Sequence, residues 1–296
     1  MKQKAVSLHY YLMVLPGILF LLAFHVAPMF GIVIAFQKFI PARGIFGSQW
    51  IGLDNFLYML QIPDSKQVFA NTIVIAAAKI AAGIAVPVGF ALLLNEVRIS
   101  AYKRTIQTDV YMPHFLSWVI LSGAIVNLFA FDGIVNRAVE WFGGEPVMFL
   151  ASNTWFRPIL VLTDVWKEFG FGTIIYLAAI AGINPALYEA AVMDGASRWQ
   201  QMAYVTLPGI AATVVLMATL SLGNVLNAGF DQIFNLYNPL VYRTADIIDT
   251  YVYRVGLVQM QYGLATSVGL LKSVVSFLLI IISYKLAARY ANYRIF

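Results

Sequence analysis

The chain is built from long apolar runs separated by short polar intervals, and run length settles the first question. Six stretches, roughly 11–36, 69–94, 110–131, 155–183, 206–230 and 263–288, are predominantly apolar. Each has or approaches the about 20 helical residues needed to cross a hydrocarbon core about 30 Å thick. The pattern predicts an all-α polytopic membrane protein with six transmembrane helices. The fourth stretch carries Asp164, Lys167 and Glu168 near its middle, so its hydropathy is low, and omitting it would invert the side assigned to everything downstream. Between the runs, 134–142 and 245–257 are amphipathic and include Trp141, Tyr251 and Tyr253, residues suited to a membrane–water interface. Both pieces are expected to lie flat as an external platform.

Composition narrows the class further. Of the 296 residues, 61% are hydrophobic and 11% charged, against about 45–50% and about 25% in soluble domains. So few charges exclude a soluble enzyme, a disordered chain and a nucleic-acid binder, despite the net charge of +5. In a membrane protein such an excess reports orientation, because Lys- and Arg-rich loops stay in the cytoplasm. The N-terminus (Lys2, Lys4), the interval after the second run (Arg98, Lys103, Arg104), Arg198 and the C-terminus (Lys285, Arg289, Arg294) hold the larger share. Both termini are therefore expected in the cytoplasm. The first run is too long for a signal peptide and lacks a small-residue cleavage site, so it reads as a retained span. With no cysteine, disulfides and thiol nucleophiles are excluded, and His9, His25 and His114 lack metal-ligand spacing.

Polar groups inside the runs are candidates for function. Ser221, Asn224 and Asn227 recur every three residues in the fifth run, so in a continuous helix they share one face. They suit interhelical hydrogen bonds equally with a sugar site. Lys79 and Lys272 have no acidic residue within a turn of their own helices. Neutralisation by neighbouring helices is one reading; a positively charged path suited to an acidic oligosaccharide is the sharper one. For Asp164, Lys167 and Glu168 the local expectation is salt bridging along one helix, with Asp164 and Lys167 as an i, i+3 pair.

The interval 184–208 carries the densest local signal. Asn184 can cap a helix with Pro185 at its first position, Gly195 suits a left-handed terminator, and Ser197 with Gln200 forms a capping-box pattern for a second short helix. Pro208 then marks the start of the fifth span. Ala190, Ala191 and Ala196 keep this elbow thin, with Glu189, Asp194 and Arg198 at its rim. Local chemistry alone allows either a docking knob or a simple link between spans.

Glu189-Ala190-Ala191, two residues, Asp194-Gly195-Ala196, ten residues and Leu207-Pro208 resemble the EAA loop of bacterial type I ABC importer permeases. Softer matches at Tyr11 to Gly17, His25, Pro28, Met29, Asn235 to Pro239 and Tyr262 to Ala265 resemble the complex-oligosaccharide and polysaccharide branch of the carbohydrate-uptake permeases. The resemblance implies a single permease domain over 1–296 in the bacterial inner membrane. It also implies that the eight loop residues engage separate ABC ATPase subunits, with a second permease subunit and an external solute-binding protein as further partners. No Gly-x-x-x-x-Gly-Lys-Ser/Thr run occurs, so this chain cannot cradle ATP phosphates by the P-loop mechanism; no cofactor is expected on it, and ATP and Mg are expected on the partner ATPases. By position relative to the loop, the resemblance points to Trp166, Asn224 and Asn227 as sugar contacts, with Ser221, Lys79 and Lys272 as further candidates. The expected activity is uptake of a complex oligosaccharide or polysaccharide by alternating access, with an acidic, uronide-like cargo as one version. The alternatives are an ion-driven secondary sugar carrier relaying protons through Asp164, Lys167 and Glu168, and an intramembrane enzyme, for which no nucleophile and base are suitably placed.

Overall fold

A computed structural model describes residues 2–290, with side chains placed from Tyr10 to Leu286. Arg294 of the C-terminal charge cluster lies outside the described residues, as do the side chains of Lys2, Lys4, His9 and Arg289. In chain order the principal elements are α1 (Lys2–Leu21), a two-stranded ribbon of β1 (Gln37–Lys38) and β2 (Gln49–Trp50), α2 (Asp54–Gln61), α3 (Pro63–Asn95), α4 (Ser100–Tyr111), α5 (Trp118–Leu128) and α6 (Ile134–Trp141). There follow α7 (Phe156–Ala181), α8 (Pro185–Met193), α9 (Arg198–Gln201), α10 (Leu207–Leu222), α11 (Phe230–Leu236), α12 (Ile248–Tyr253) and α13 (Tyr262–Tyr290).

Two compact units make up the chain. The first comprises 1–63 and 251–271. In it α1 continues through a π-turn at Leu22–Val26 and a 3₁₀ turn at Phe30–Phe36. The antiparallel ribbon follows directly, and Asn55 Nδ2 ties the region together by donating to the carbonyls of Ala35 (2.8 Å) and Gln37 (3.1 Å).

The second unit comprises 64–250 and 272–296 and holds the principal apolar core. Ile75 and Ala76 of α3, Leu121 and Ile125 of α5, Phe156, Ile159 and Leu160 of α7, and Ile233 of α11 pack there. The stripe on α3 follows from helical spacing: Val68, Thr72, Ile75, Ala76 and Lys79 are all buried at intervals of three and four.

Among the described residues, four segments are long and apolar enough to span a membrane alone: Tyr10–Phe36, Pro63–Asn95, Arg198–Leu222 and Tyr262–Leu286. Two more qualify only as bent pairs, Ser100–Phe115 with Trp118–Leu128, and Phe156–Ala181 with Pro185–Met193. The total reaches six when each pair counts once. The expected third span, 110–131, is therefore corrected: it is two helices bent by 103°. The helix continues through a 3₁₀ turn at Met112–Phe115, the chain turns extended at Leu116 and Ser117 (ψ 139° and 151°), and Ser117 restarts the helix by accepting from Ile120 N–H. The polar α4 supplies the first half of that span.

The fifth span is corrected at both ends. It runs from Arg198 rather than 206, because α9 passes into α10 through a π-turn at Met202–Thr206, where Leu207 N–H reaches Met202 O. Pro208, which has no N–H, is absorbed inside this continuous rod instead of starting it. The helix stops at Leu222 and gives way to turns bonded Asn224 N–H to Ser221 O (3.0 Å) and Asn227 N–H to Asn224 O (2.8 Å). Of the expected platform pieces, α6 does expose Ile134 and Trp141. The 245–257 piece does not lie open: Ala245, Ile247, Ile248 and Tyr251 are buried.

Candidate functional site

Two features of the second unit carry the chemistry. The first is a cavity of about 270 Å³ lined by Lys79, Gly83, Asp164, Ser221, Asn224 and Asn227 among others. Helix α3 brings Lys79 and Gly83, α7 brings Asp164, and the end of α10 with the turns beyond it brings the remaining three. Because Pro87 lies one turn after Gly83 inside α3, the Gly83 carbonyl lacks its intrahelical donor. Asn224 and Asn227 are exposed, and Asn227 Nδ2 is 3.4 Å from Asn224 Oδ1. They reach the cavity from a broken helix end, not along one helix face as the sequence spacing suggested. Ser221 Oγ donates to Met217 O at 2.8 Å, which leaves its oxygen free to accept. The cavity wall thus offers amide donors, a hydroxyl oxygen and one carboxylate.

Lys79 does not face this cavity as a free cation. Its ammonium donates to Asp164 Oδ1 (3.0 Å), to Ala228 O (2.8 Å) and to Gln232 Oε1, which uses all three of its protons. Lys272 is paired with Asp249 at 2.6 Å and is not part of the cavity wall. Neighbouring elements therefore neutralise both span lysines, and the positively charged path is not what their geometry forms. The expected Asp164–Lys167 pair is likewise replaced. Asp164 turns to Lys79, while Lys167 bonds Glu168 (2.8 Å) and His114 O (2.7 Å), and Glu168 also meets His114 Nδ1 at 2.6 Å. Trp166 lies two residues from Asp164, about 200° around α7, half exposed and outside the cavity wall. Sequence reasoning missed Gln232, which is fully buried, and did not place Asp164 in the cavity; no local pattern marks either.

The second feature is the elbow. Asn184 Oδ1 accepts from Ala186 N–H at 3.0 Å, with Pro185 at the first helical position of α8. Helix α8 ends with Gly195 N–H to Val192 O (3.0 Å) and Ala196 N–H to Ala191 O (2.9 Å), and Gly195 is left-handed at φ 78°. That is a Schellman terminator. Ser197 and Gln200 close the reciprocal box, with Ser197 N–H to Gln200 Oε1 at 2.7 Å. Tyr188 Oη is 2.9 Å from Thr206 Oγ1, and Gln201 Nε2 donates to Ala196 O at 2.9 Å, so α8 is braced against the rod that follows. Glu189, Ala190, Asp194, Gly195, Leu207 and Pro208 are exposed, and Ala191 and Ala196 are half-buried. Arg198 is not a free rim anchor, since it pairs with Glu96 at 3.1 Å. The knob also exposes the apolar side chains of Leu187, Met193 and Trp199, which the sequence did not single out.

A helical fold with several helices long and apolar enough to cross a membrane, and a cavity with polar side chains in its wall, suits a membrane transport protein. Residues 83–292 match the family described as the binding-protein-dependent transport system inner membrane component, and the chain belongs to that family as a permease subunit. It is 44% identical over 283 residues (95% of this chain, 88% of the relative) to the polygalacturonan/rhamnogalacturonan transport system permease protein YteP of Bacillus subtilis strain 168. It is 43% identical over 271 residues (91% and 85%) to protein LplB of the same strain. Among solved structures it matches, at TM-score 0.89 and 38% identity over 98% of both chains, a bacterial ABC transporter involved in import of the acidic polysaccharide alginate. A second match, at TM-score 0.88, is the bacterial alginate ABC transporter in complex with an alginate pentasaccharide-bound periplasmic protein.

Proposed function

We propose that this chain is one transmembrane half of a type I ABC importer that takes up a complex oligosaccharide or polysaccharide by alternating access. The carrying observation is the elbow: a capped, braced and exposed knob on a rod that runs unbroken from Arg198 to Leu222 and ends at the polar cavity. A push on one end of such a rod moves the other. In this reading Glu189, Ala190, Ala191, Asp194, Gly195, Ala196, Leu207 and Pro208 form the contact with ABC ATPase subunits, which bind ATP and Mg. Leu187, Met193 and Trp199 add apolar surface to it. ATP binding closes the ATPases, displaces the elbow and turns the cavity toward an external solute-binding protein; hydrolysis returns it inward. A second permease subunit completes the path, and the elbow and both termini lie on the cytoplasmic side of the inner membrane.

The cavity is the saccharide site in this reading. Asn224 and Asn227 amides and the Ser221 oxygen suit sugar hydroxyls, and the two amides also suit a uronate carboxylate. The substrates named for the relatives, polygalacturonan/rhamnogalacturonan and alginate, favour a uronide-containing cargo. Recognition of its charge by Lys79 has no support, because that cation is saturated by protein acceptors.

The test is purification through a tag at Phe296 followed by reconstitution into vesicles. An ATPase and a second permease should co-purify, and galacturonan oligomers delivered by the binding protein should enter only with ATP inside. Uptake that survives ATP depletion and collapses with an uncoupler would overturn the reading in favour of an ion-driven carrier.

A further inference from the structure

The fifth span ends at Leu222 and the chain continues through turns at 223–229, where backbone groups no longer served by a helix need other partners when buried. The Ala228 carbonyl is buried in this segment and its donor is Lys79, a residue 149 positions away on α3. The same ammonium meets Gln232 at the start of α11, and Gln232 Nε2 donates to Leu160 O and Thr163 Oγ1 of α7, both at 2.8 Å. Gly229 sits between them at φ 95°, and a Cβ there would fall 2.8 Å from Lys79 Nζ. One cation thus joins α3, α7, the end of the turn segment and α11 beyond it. A lysine present only to neutralise Asp164 would need one contact; two of these three run to neutral acceptors on or beside the broken segment.

We propose that Lys79, acting with Gln232, is a positioning residue. It fixes the broken end of the fifth span so that Asn224 and Asn227 face the cavity. The proposal rests on the reading of that cavity as the saccharide site. It assigns Lys79 an indirect role, in which the cation shapes the site by holding the main chain rather than by attracting the cargo.

The test compares Lys79→Met, Lys79→Met with Asp164→Asn, and Gln232→Met in the assembled complex, measuring trigalacturonate binding by calorimetry alongside basal ATPase rate. Removing the positioning contact should weaken binding about tenfold in complexes that still assemble. The double variant should bind no better than Lys79→Met, since deleting the orphaned carboxylate charge does not restore the contacts to Ala228 and Gln232. Recovery of parental affinity in the double variant would overturn the proposal and leave Lys79 as a simple counter-ion. Should Lys79→Met fail to assemble, a thiol probe decides: the chain has no cysteine, so Val225→Cys reports the break alone. Its reaction with a water-soluble maleimide should speed up about tenfold when Gln232→Met is added, and an unchanged rate would sink the idea. If Asn224→Ala leaves trigalacturonate binding intact, the cavity reading falls, while the thiol measurement still judges the pin.

Discussion

The elbow and the Lys79 node are both stiff, for opposite reasons. The elbow's caps are bonds spanning two to five residues, such as Asn184 to Ala186 and Ala196 to Ala191, a longer brace from Tyr188 to Thr206 spans 18, and it stands in the open. The node is held by bonds spanning 85, 149 and 153 residues, and its cation is buried. A local device can be displaced as one piece without loss of its internal contacts, which is what a lever requires. A node built from three elements resists such displacement, which is what a site of fixed geometry requires.

The contrast can be broken most severely at the node. Lys79→Met leaves Asp164 without its cation and leaves Ala228 O and Gln232 Oε1 without a donor. Removing one partner of a buried pair costs about 3–5 kcal/mol, so the purified complex should unfold at a clearly lower temperature in thermal denaturation. A melting point within a degree of the parent would mean that the node is not a structural tie. At the elbow the corresponding insult is Gly195→Pro, since Pro requires φ near −65° where the chain needs 78°. The expected local cost is about 3 kcal/mol, with membrane insertion intact and ATP-driven uptake lost. Retained coupling in vesicles would remove the elbow from the mechanism.

Why one region is readable from the chain and the other is not follows from the same distances. Asn184, Pro185, Gly195, Ser197 and Gln200 carry their partners within a few positions, so propensity and capping rules suffice. Six apolar runs were equally visible, because length and composition report the membrane directly. Lys79 gave only a puzzle, a cation in an apolar helix with no acid nearby, because its partners lie far along the chain. The fifth-span break was hidden for a related reason: Gly223 and Gly229 bracket residues that fit a helical face, and the donor that stabilises the broken form is on another helix. Pro208 misled differently, since a π-turn let the helix pass it.

Two left-handed glycines sharpen the comparison at smaller cost. A Cβ on Gly195 would meet nothing within 4 Å, whereas one on Gly229 would crowd Lys79 Nζ. Gly195→Ala should therefore cost about 1 kcal/mol from backbone strain alone, and Gly229→Ala up to about 3 kcal/mol. Thermal denaturation of the two variants side by side gives the difference directly, and equal melting points would show that the node yields to a methyl group.

The smallest effect is expected at Arg198. Its pair with Glu96 at 3.1 Å is more than half exposed on the arginine side, and such exposed pairs contribute about 0–1 kcal/mol and weaken with salt. The capping box beside it involves Ser197 and Gln200, not Arg198, so Arg198→Ala should leave the elbow folded. Uptake should fall less than about twofold at low ionic strength and match the parent at high salt, where the pair is already screened. A large, salt-independent loss would show instead that Arg198 meets the ATPase directly. In that case the rim of the elbow, and not only its thin alanine and glycine face, would carry the force into the membrane.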